Sequence, residues 1–258
     1  MVLEIDLSKE FPHLPRAPIV EAVIQWQATG TKDVLESHLR SHLEGAFPDY
    51  EIAPQHSLEA AFEGSDKGME LRQRSSWQGF RLTRLSDGNP QFVCQFRQDG
   101  IVVSRLAPYE GWNQFLPEAI RFWKTFTEIR EPKSIARLST RYISQMPVRS
   151  MVEIADLLNV VTDPLKVFGV SSDTFFHQDT VKLGNLPYII NVRTALQPTP
   201  KSEISDKSLI VDVDVSTAEG PTDESEMELT LKELQHLKNK VFFGLMKNPE
   251  EKFGGIQA

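Results

Sequence analysis

The amino-acid sequence predicts an α+β protein that runs twice through one order of elements: strand, helix, several antiparallel strands, long helix. Two observations carry that prediction. Short stretches in which apolar residues alternate with polar ones are bounded by turn residues, as in strands with one buried face. Two longer stretches, Tyr109–Arg130 and Glu224–Met246, keep helical spacing of apolar residues over several turns, and each closes a run of strands.

Ala17–Ala28 alternates, with Val20, Ala22, Ile24 and Trp26 on one face and Glu21, Gln25 and Gln27 beside Ile19 and Val23 on the other, so it reads as a strand. Gly30 ends it. Thr31 is placed to cap a helix carrying Val34, Leu35, Leu39, Leu43 and Phe47, and Pro48 stops that helix. Ser57–Glu63, Glu70–Leu85 and Phe92–Leu106 are β-like. The last divides at Asp99-Gly100, a pair that suits the positive φ angles of a tight hairpin turn. Within Tyr109–Arg130, Trp112, Phe115, Leu116, Ala119, Ile120, Trp123 and Phe126 form an aromatic stripe fit to lie on a sheet. Pro117 either marks the start of the regular helix or kinks it.

The order then restarts. Ser134–Met146 reads as a strand, Met151–Asn159 as a short helix, and Thr174–Lys182, Tyr188–Leu196 and Ser208–Val215 as strands. Glu224–Met246 follows as a helix with Met227, Leu231, Leu234, Leu237, Val241 and Leu245 on its apolar side. The halves are 1–132 and 133–258, as two units or one continuous domain. Element order, without residue-level identity, suggests an internal duplication: two curved antiparallel sheets, each backed by its long helix, joined across a pseudo-twofold axis in a helix-grip or saddle-like arrangement. Gln197–Lys207 and Thr217–Glu224 read as exposed loops.

The chain has 258 residues, 40% hydrophobic and 25% charged, the balance of a folded globular protein. One cysteine, Cys94, excludes an internal disulfide and a multi-thiolate zinc site and fits a reducing compartment, so the cytoplasm is expected. The first residues do not resemble a secretory signal, and no apolar run approaches the roughly 20 residues that cross a bilayer. A net charge of -8 and a pI near 5.3 give a long-range field of the wrong sign for nucleic acid or anionic lipid.

Arg16-Ala-Pro-Ile-Val-Glu-Ala-Val23, Ser104-Arg-Leu-Ala-Pro-Tyr-Glu-Gly-Trp112 and Arg137-Leu-Ser-Thr-Arg-Tyr-Ile143 together resemble a sporadically distributed family of uncharacterised bacterial proteins of about this length. Leu209-Ile-Val-Asp-Val-Asp214 and the closing helix are similar too, so the resemblance spans nearly the whole chain. It departs at Ser139-Thr140, where a small residue and a more apolar one are expected. The resemblance implies no reaction. The family's patchy distribution resembles that of genes on mobile elements, such as phage-defence and toxin-antitoxin loci.

Several residues have both a plain and a functional reading. Asp212 and Asp214 share a strand face: the plain reading is an arginine-paired sheet face, the functional one a site for Mg²⁺ or Ca²⁺. Arg137 and Arg141 share another face, with Glu21 on the leading strand of the first half. If the two leading strands lie side by side, these residues form an ion network with Asp212 or Asp214, and failing that a phosphate grip. Pro108, Tyr109 and Trp112 either set the entry angle of the long helix or line an aromatic pocket with Arg105 at its rim. His38 and His42 lie four apart on a helix without the glutamate of a zinc-protease motif, and read as an exposed polar face. Cys94 reads as a buried core residue.

No phosphate loop, nucleophile elbow, dinucleotide fingerprint or zinc-ligand set is present, and no cofactor is expected. The expected function is a protein-binding or regulatory module acting on another protein or a second copy of itself, with neither nucleic acid nor membrane as partner. The alternative is an enzyme or sensor that grips a phosphorylated small molecule through Arg137 and Arg141, with a divalent metal at Asp212 and Asp214.

Overall fold

The computed structural model describes residues 4–65, 68–160, 167–170, 172–198 and 207–254. Its elements in chain order are β1 (Ile19–Thr29), α1 (Glu36–Ala46), β2 (Glu51–Ser65), β3 (Gly68–Ser86), β4 (Asn89–Arg97), β5 (Gly100–Leu106), α2 (Trp112–Arg130), β6 (Ser134–Val148), α3 (Met151–Leu157), β7 (Phe175–Lys182), β8 (Tyr188–Pro198), β9 (Lys207–Thr217), α4 (Glu224–Leu245) and α5 (Pro249–Phe253). The protein is α+β, with both helices and one large antiparallel sheet. No helix among the described residues is long and apolar enough to cross a membrane.

The nine strands among the described residues all belong to that sheet, in the order β2-β3-β4-β5-β1-β6-β9-β8-β7, and every neighbouring pair is antiparallel. The leading strands β1 and β6 meet at its centre, with Ile24 opposite Thr140 and Val23 opposite Arg141. In each half the last strand returns to the first, β5 beside β1 and β9 beside β6.

Period two puts Ala22, Ile24 and Trp26 of β1, Val103 of β5, Tyr142 of β6 and Val211, Val213 and Val215 of β9 on one side, all buried. The helices cover that side. Of the predicted α2 stripe, Phe115, Ala119, Trp123 and Phe126 are buried there and Trp123 stacks on Trp26 at 5.6 Å; Phe122, outside that stripe, is buried too and stacks on Phe47 at 4.1 Å. Such ring pairs add about 0.5–1.5 kcal/mol each beyond the area they bury. At the start of α4, Asp223 accepts from the Glu226 amide at 2.8 Å while Glu226 accepts from the Thr222 amide at 2.6 Å, which satisfies two backbone donors at the helix entrance.

Three local expectations are corrected. Thr31 does not cap α1, which begins at Glu36 after Leu35 with no side-chain cap; its hydroxyl instead donates to the Gln98 carbonyl at 3.1 Å. Leu35 is therefore off the apolar stripe and 67% exposed. The tight Asp-Gly turn is not at Asp99-Gly100, where only Gly100 has positive φ and the hairpin closes more widely from Phe96 to Ile101. It is at Asp87-Gly88, with φ of 51° and 76° between the paired residues Ser86 and Asn89. Finally, α2 begins at Trp112, so Pro117 lies inside it and does not mark its start. The helical bond that Pro117 cannot donate would go to the Asn113 carbonyl, and Asn113 is exposed to water.

Candidate functional site

The sheet face away from the helices carries the charged residues singled out in the sequence. Asp212 is almost buried, its side chain 5% exposed. It accepts two parallel bonds from Arg141, Nε at 2.8 Å and a terminal nitrogen at 2.7 Å, and a third at 3.0 Å from Arg193 on the adjacent β8. Asp214 accepts from Arg137 at 3.3 Å and from Asn191 at 3.4 Å, and Arg137 also donates to Ser139 at 3.3 Å. The bidentate bond from Asp212 raises the Arg141 pKa, and desolvation raises that of Asp214 against the pull of Arg137 and Arg141. Glu21 sits on this face opposite Ile143 and adds to the field at Arg141, without an ion pair among the described residues. Both Asp212 oxygens and Oδ2 of Asp214 are thus engaged by guanidinium and amide donors. Among the described residues, no group of three or more histidine, cysteine, aspartate or glutamate side chains is arranged to hold a metal ion.

His38 and His42 are exposed on α1, and one ring nitrogen of His42 lies 2.8 Å from the His38 carbonyl. Cys94 is fully buried, and burial raises its thiol pKa well above the usual range.

The helix-covered face holds a cavity of about 770 Å³. Its floor is Tyr142 and Ser144 of β6 with Val213 of β9; one wall is the start of α2, the other is α4, and the segment from Leu7 to Ile19 crosses over it. Tyr109 and Trp112 line this cavity, and Arg105 does not. Arg105 is 2% exposed behind the α2 entry loop, stacked 4.8 Å from the Phe92 ring and donating to the Gln91 carbonyl at 3.3 Å and to Glu110 at 3.1 Å. It holds the loop that presents Tyr109 and Trp112. The Tyr109 hydroxyl meets that of Tyr142 at 2.9 Å, which ties the approach to α2 to the sheet floor, and burial raises the Tyr109 pKa to about 12.

The first turn of α2 is open. Its N-cap is Gly111, at φ 131°, a conformation that any side chain would strain, and no side chain caps the helix. Gly111, Trp112, Asn113 and Gln114 all line the cavity.

Opposite them stands Lys238, absent from the candidate residues taken from the sequence. It is 8% exposed, with its ammonium 3.7 Å from the centre of the Tyr142 ring and donating to Asn239 Oδ1 at 2.6 Å. No carboxylate pairs with it among the described residues, and burial pushes its pKa down to about 7. The sequence did hold a signal, because Lys238 follows Leu231 and Leu234 by seven and four positions and so falls on the apolar side of α4. Beside it His236 is buried edge-on to Phe11 at 5.1 Å, and desolvation lowers its pKa.

Fold and site together define the class: an α+β protein with one antiparallel sheet, a salt-bridged open face and a basic cavity under its helices. No protein-family model matches the chain, and no curated protein does. A solved structure titled "KH domains" aligns with it at 9% identity, over 94% of this chain and 68% of that one, with a TM-score of 0.20, too low to inform fold or function.

Proposed function

We propose that the chain is a cytoplasmic binding and regulatory module whose working site is the cavity between α2 and α4. The observation that carries this reading is a volume of about 770 Å³ whose walls combine aromatic side chains with a buried lysine that has no carboxylate partner among the described residues. Concave sites of this size with a few convergent polar groups are where proteins hold small ligands. We also read the two halves as copies of one unit, joined in a saddle-like arrangement. The matching element order, the return of each last strand to its leading strand and the antiparallel meeting of β1 and β6 support that.

Native mass spectrometry of the full chain, purified from its host without denaturant, tests the cavity reading. One small ligand retained per chain, and lost in Trp112→Ala, is expected; a bare chain mass from the host overturns it.

A second reading, docking of a protein, is favoured by β7, an edge strand with seven of its eight residues exposed, including Phe176 at 68% and Val181 at 49%. An edge with no outer strand among the described residues can accept one from another chain, in the first place a second copy. The alternative of a phosphorylated ligand at Arg137 and Arg141 with a metal at Asp212 and Asp214 has less support, because these groups already neutralise one another.

A further inference from the structure

We infer that the cavity receives the oxyanion of a small organic ligand, a carboxylate or a phosphate, between the open first turn of α2 and the ammonium of Lys238. This deepens the cavity reading and rests on it. Two independent features converge on one space. The first is a helix of 19 residues with no capping side chain whose opening residues, Gly111 to Gln114, line the cavity, so the positive end of its dipole lies at that space. The second is a lysine more than nine-tenths buried whose ammonium has an amide oxygen and an aromatic face for company but no carboxylate.

Burying an ammonium without a counter-ion is costly, and a methionine or leucine on this side of α4 would pack without that cost. An oxyanion supplies what the site lacks. It accepts from the helix amides and from the lysine together, and charge-assisted bonds of this kind are about twice as strong as neutral ones. Tyr142 places the two donor groups in one setting, since its ring lies under the Lys238 ammonium and its hydroxyl meets Tyr109, three residues before α2.

The remaining charges fit: Lys9 and Lys232 face the cavity against Glu10 and Glu110, and Glu110 is already paired with Arg105, so in a chain of net charge -8 the cavity does not share the overall negative balance. Phe11, Trp112 and Phe242 offer an apolar surface for the body of the ligand.

Titration calorimetry of the full chain at pH 8 tests this with phenyl phosphate, benzoate and uncharged benzyl alcohol, each in two buffers of different ionisation enthalpy. Burial pushes the Lys238 pKa down to about 7 and an oxyanion beside it favours the charged form, so proton uptake is expected on binding; His13 and His236 face the same cavity, so uptake belongs to Lys238 only where Lys238→Met removes it. The expected result is that one or both anions bind about tenfold or more tightly than benzyl alcohol, with proton uptake, and that Lys238→Met removes the preference. Which anion binds names the oxyanion. Far-ultraviolet circular dichroism checks that Lys238→Met is folded, and Lys238→Arg, which keeps the charge, should keep the preference. Equal binding of benzyl alcohol, an anion preference that survives Lys238→Met in a folded variant, or no binding of any probe overturns the oxyanion assignment. A ligand retained in native mass spectra would keep the cavity reading standing in each of those cases.

Discussion

Asp212 and Asp214 are two residues apart on one strand, yet their surroundings predict unequal sensitivity to mutation. Arg141→Ala strips the bidentate partner from a carboxylate that is 5% exposed and leaves Arg193 as its remaining guanidinium. The expected loss is about 1–3 kcal/mol, the usual cost of leaving a buried charged group under-bonded. Arg137→Ala removes one 3.3 Å contact to a more exposed aspartate, 13% against 5%, and should cost less than about 1 kcal/mol. Urea unfolding of the two variants measures the difference, and equal losses would contradict the assigned geometry. The pairing of these residues was legible from strand period and charge sign. Arg193 was not, because only the placement of β8 beside β9 brings it to Asp212. Lys238 was legible in principle as a charge on an apolar stripe, but a lysine there is more often read as a long side chain reaching solvent.

At the scale of elements, periodicity located the strands and the two long helices, while turn chemistry was harder to assign. Two Asp-Gly pairs stand in the sequence, and nothing local says which one closes a two-residue hairpin. The difference lies in the third strand: Ala28 donates to the Asp99 carbonyl at 2.7 Å and Gly100 pairs with Gln27, so β1 pulls the second pair into the sheet. Gly88→Ala should therefore lower stability by about 1–2 kcal/mol, since open space around the new Cβ leaves only the cost of positive φ. Asp99→Ala, whose φ is not positive, should lose much less. Thermal unfolding followed by circular dichroism reads both, and a smaller loss for Gly88→Ala would refute the assignment. The missed start of α1 has the same origin. Residues 31 and 32 are held by Gln98 and by the Arg130 carbonyl, contacts distant in sequence that outweigh local capping preference.

For the whole molecule, the central pairing of β1 with β6 is decisive. Each of these strands is held on both sides, β1 by β5 and β6, and β6 by β1 and β9, so neither half can leave without exposing a sheet edge at the centre. The expected outcome is a single cooperative unfolding transition, with tryptophan fluorescence and far-ultraviolet circular dichroism superimposing; two separated transitions would show that the halves are independent. The segment that crosses the cavity is also fastened at this scale. Arg16 donates its backbone amide to the Phe253 carbonyl at 3.0 Å and its guanidinium to the Gly254 carbonyl at 3.1 and 2.7 Å. Peptide carbonyls do not titrate and carry no net charge to be screened. The fastening is therefore a clasp indifferent to acidity and nearly so to ionic strength, and any response of the pocket to either must originate among the lysines, histidines and glutamates inside it.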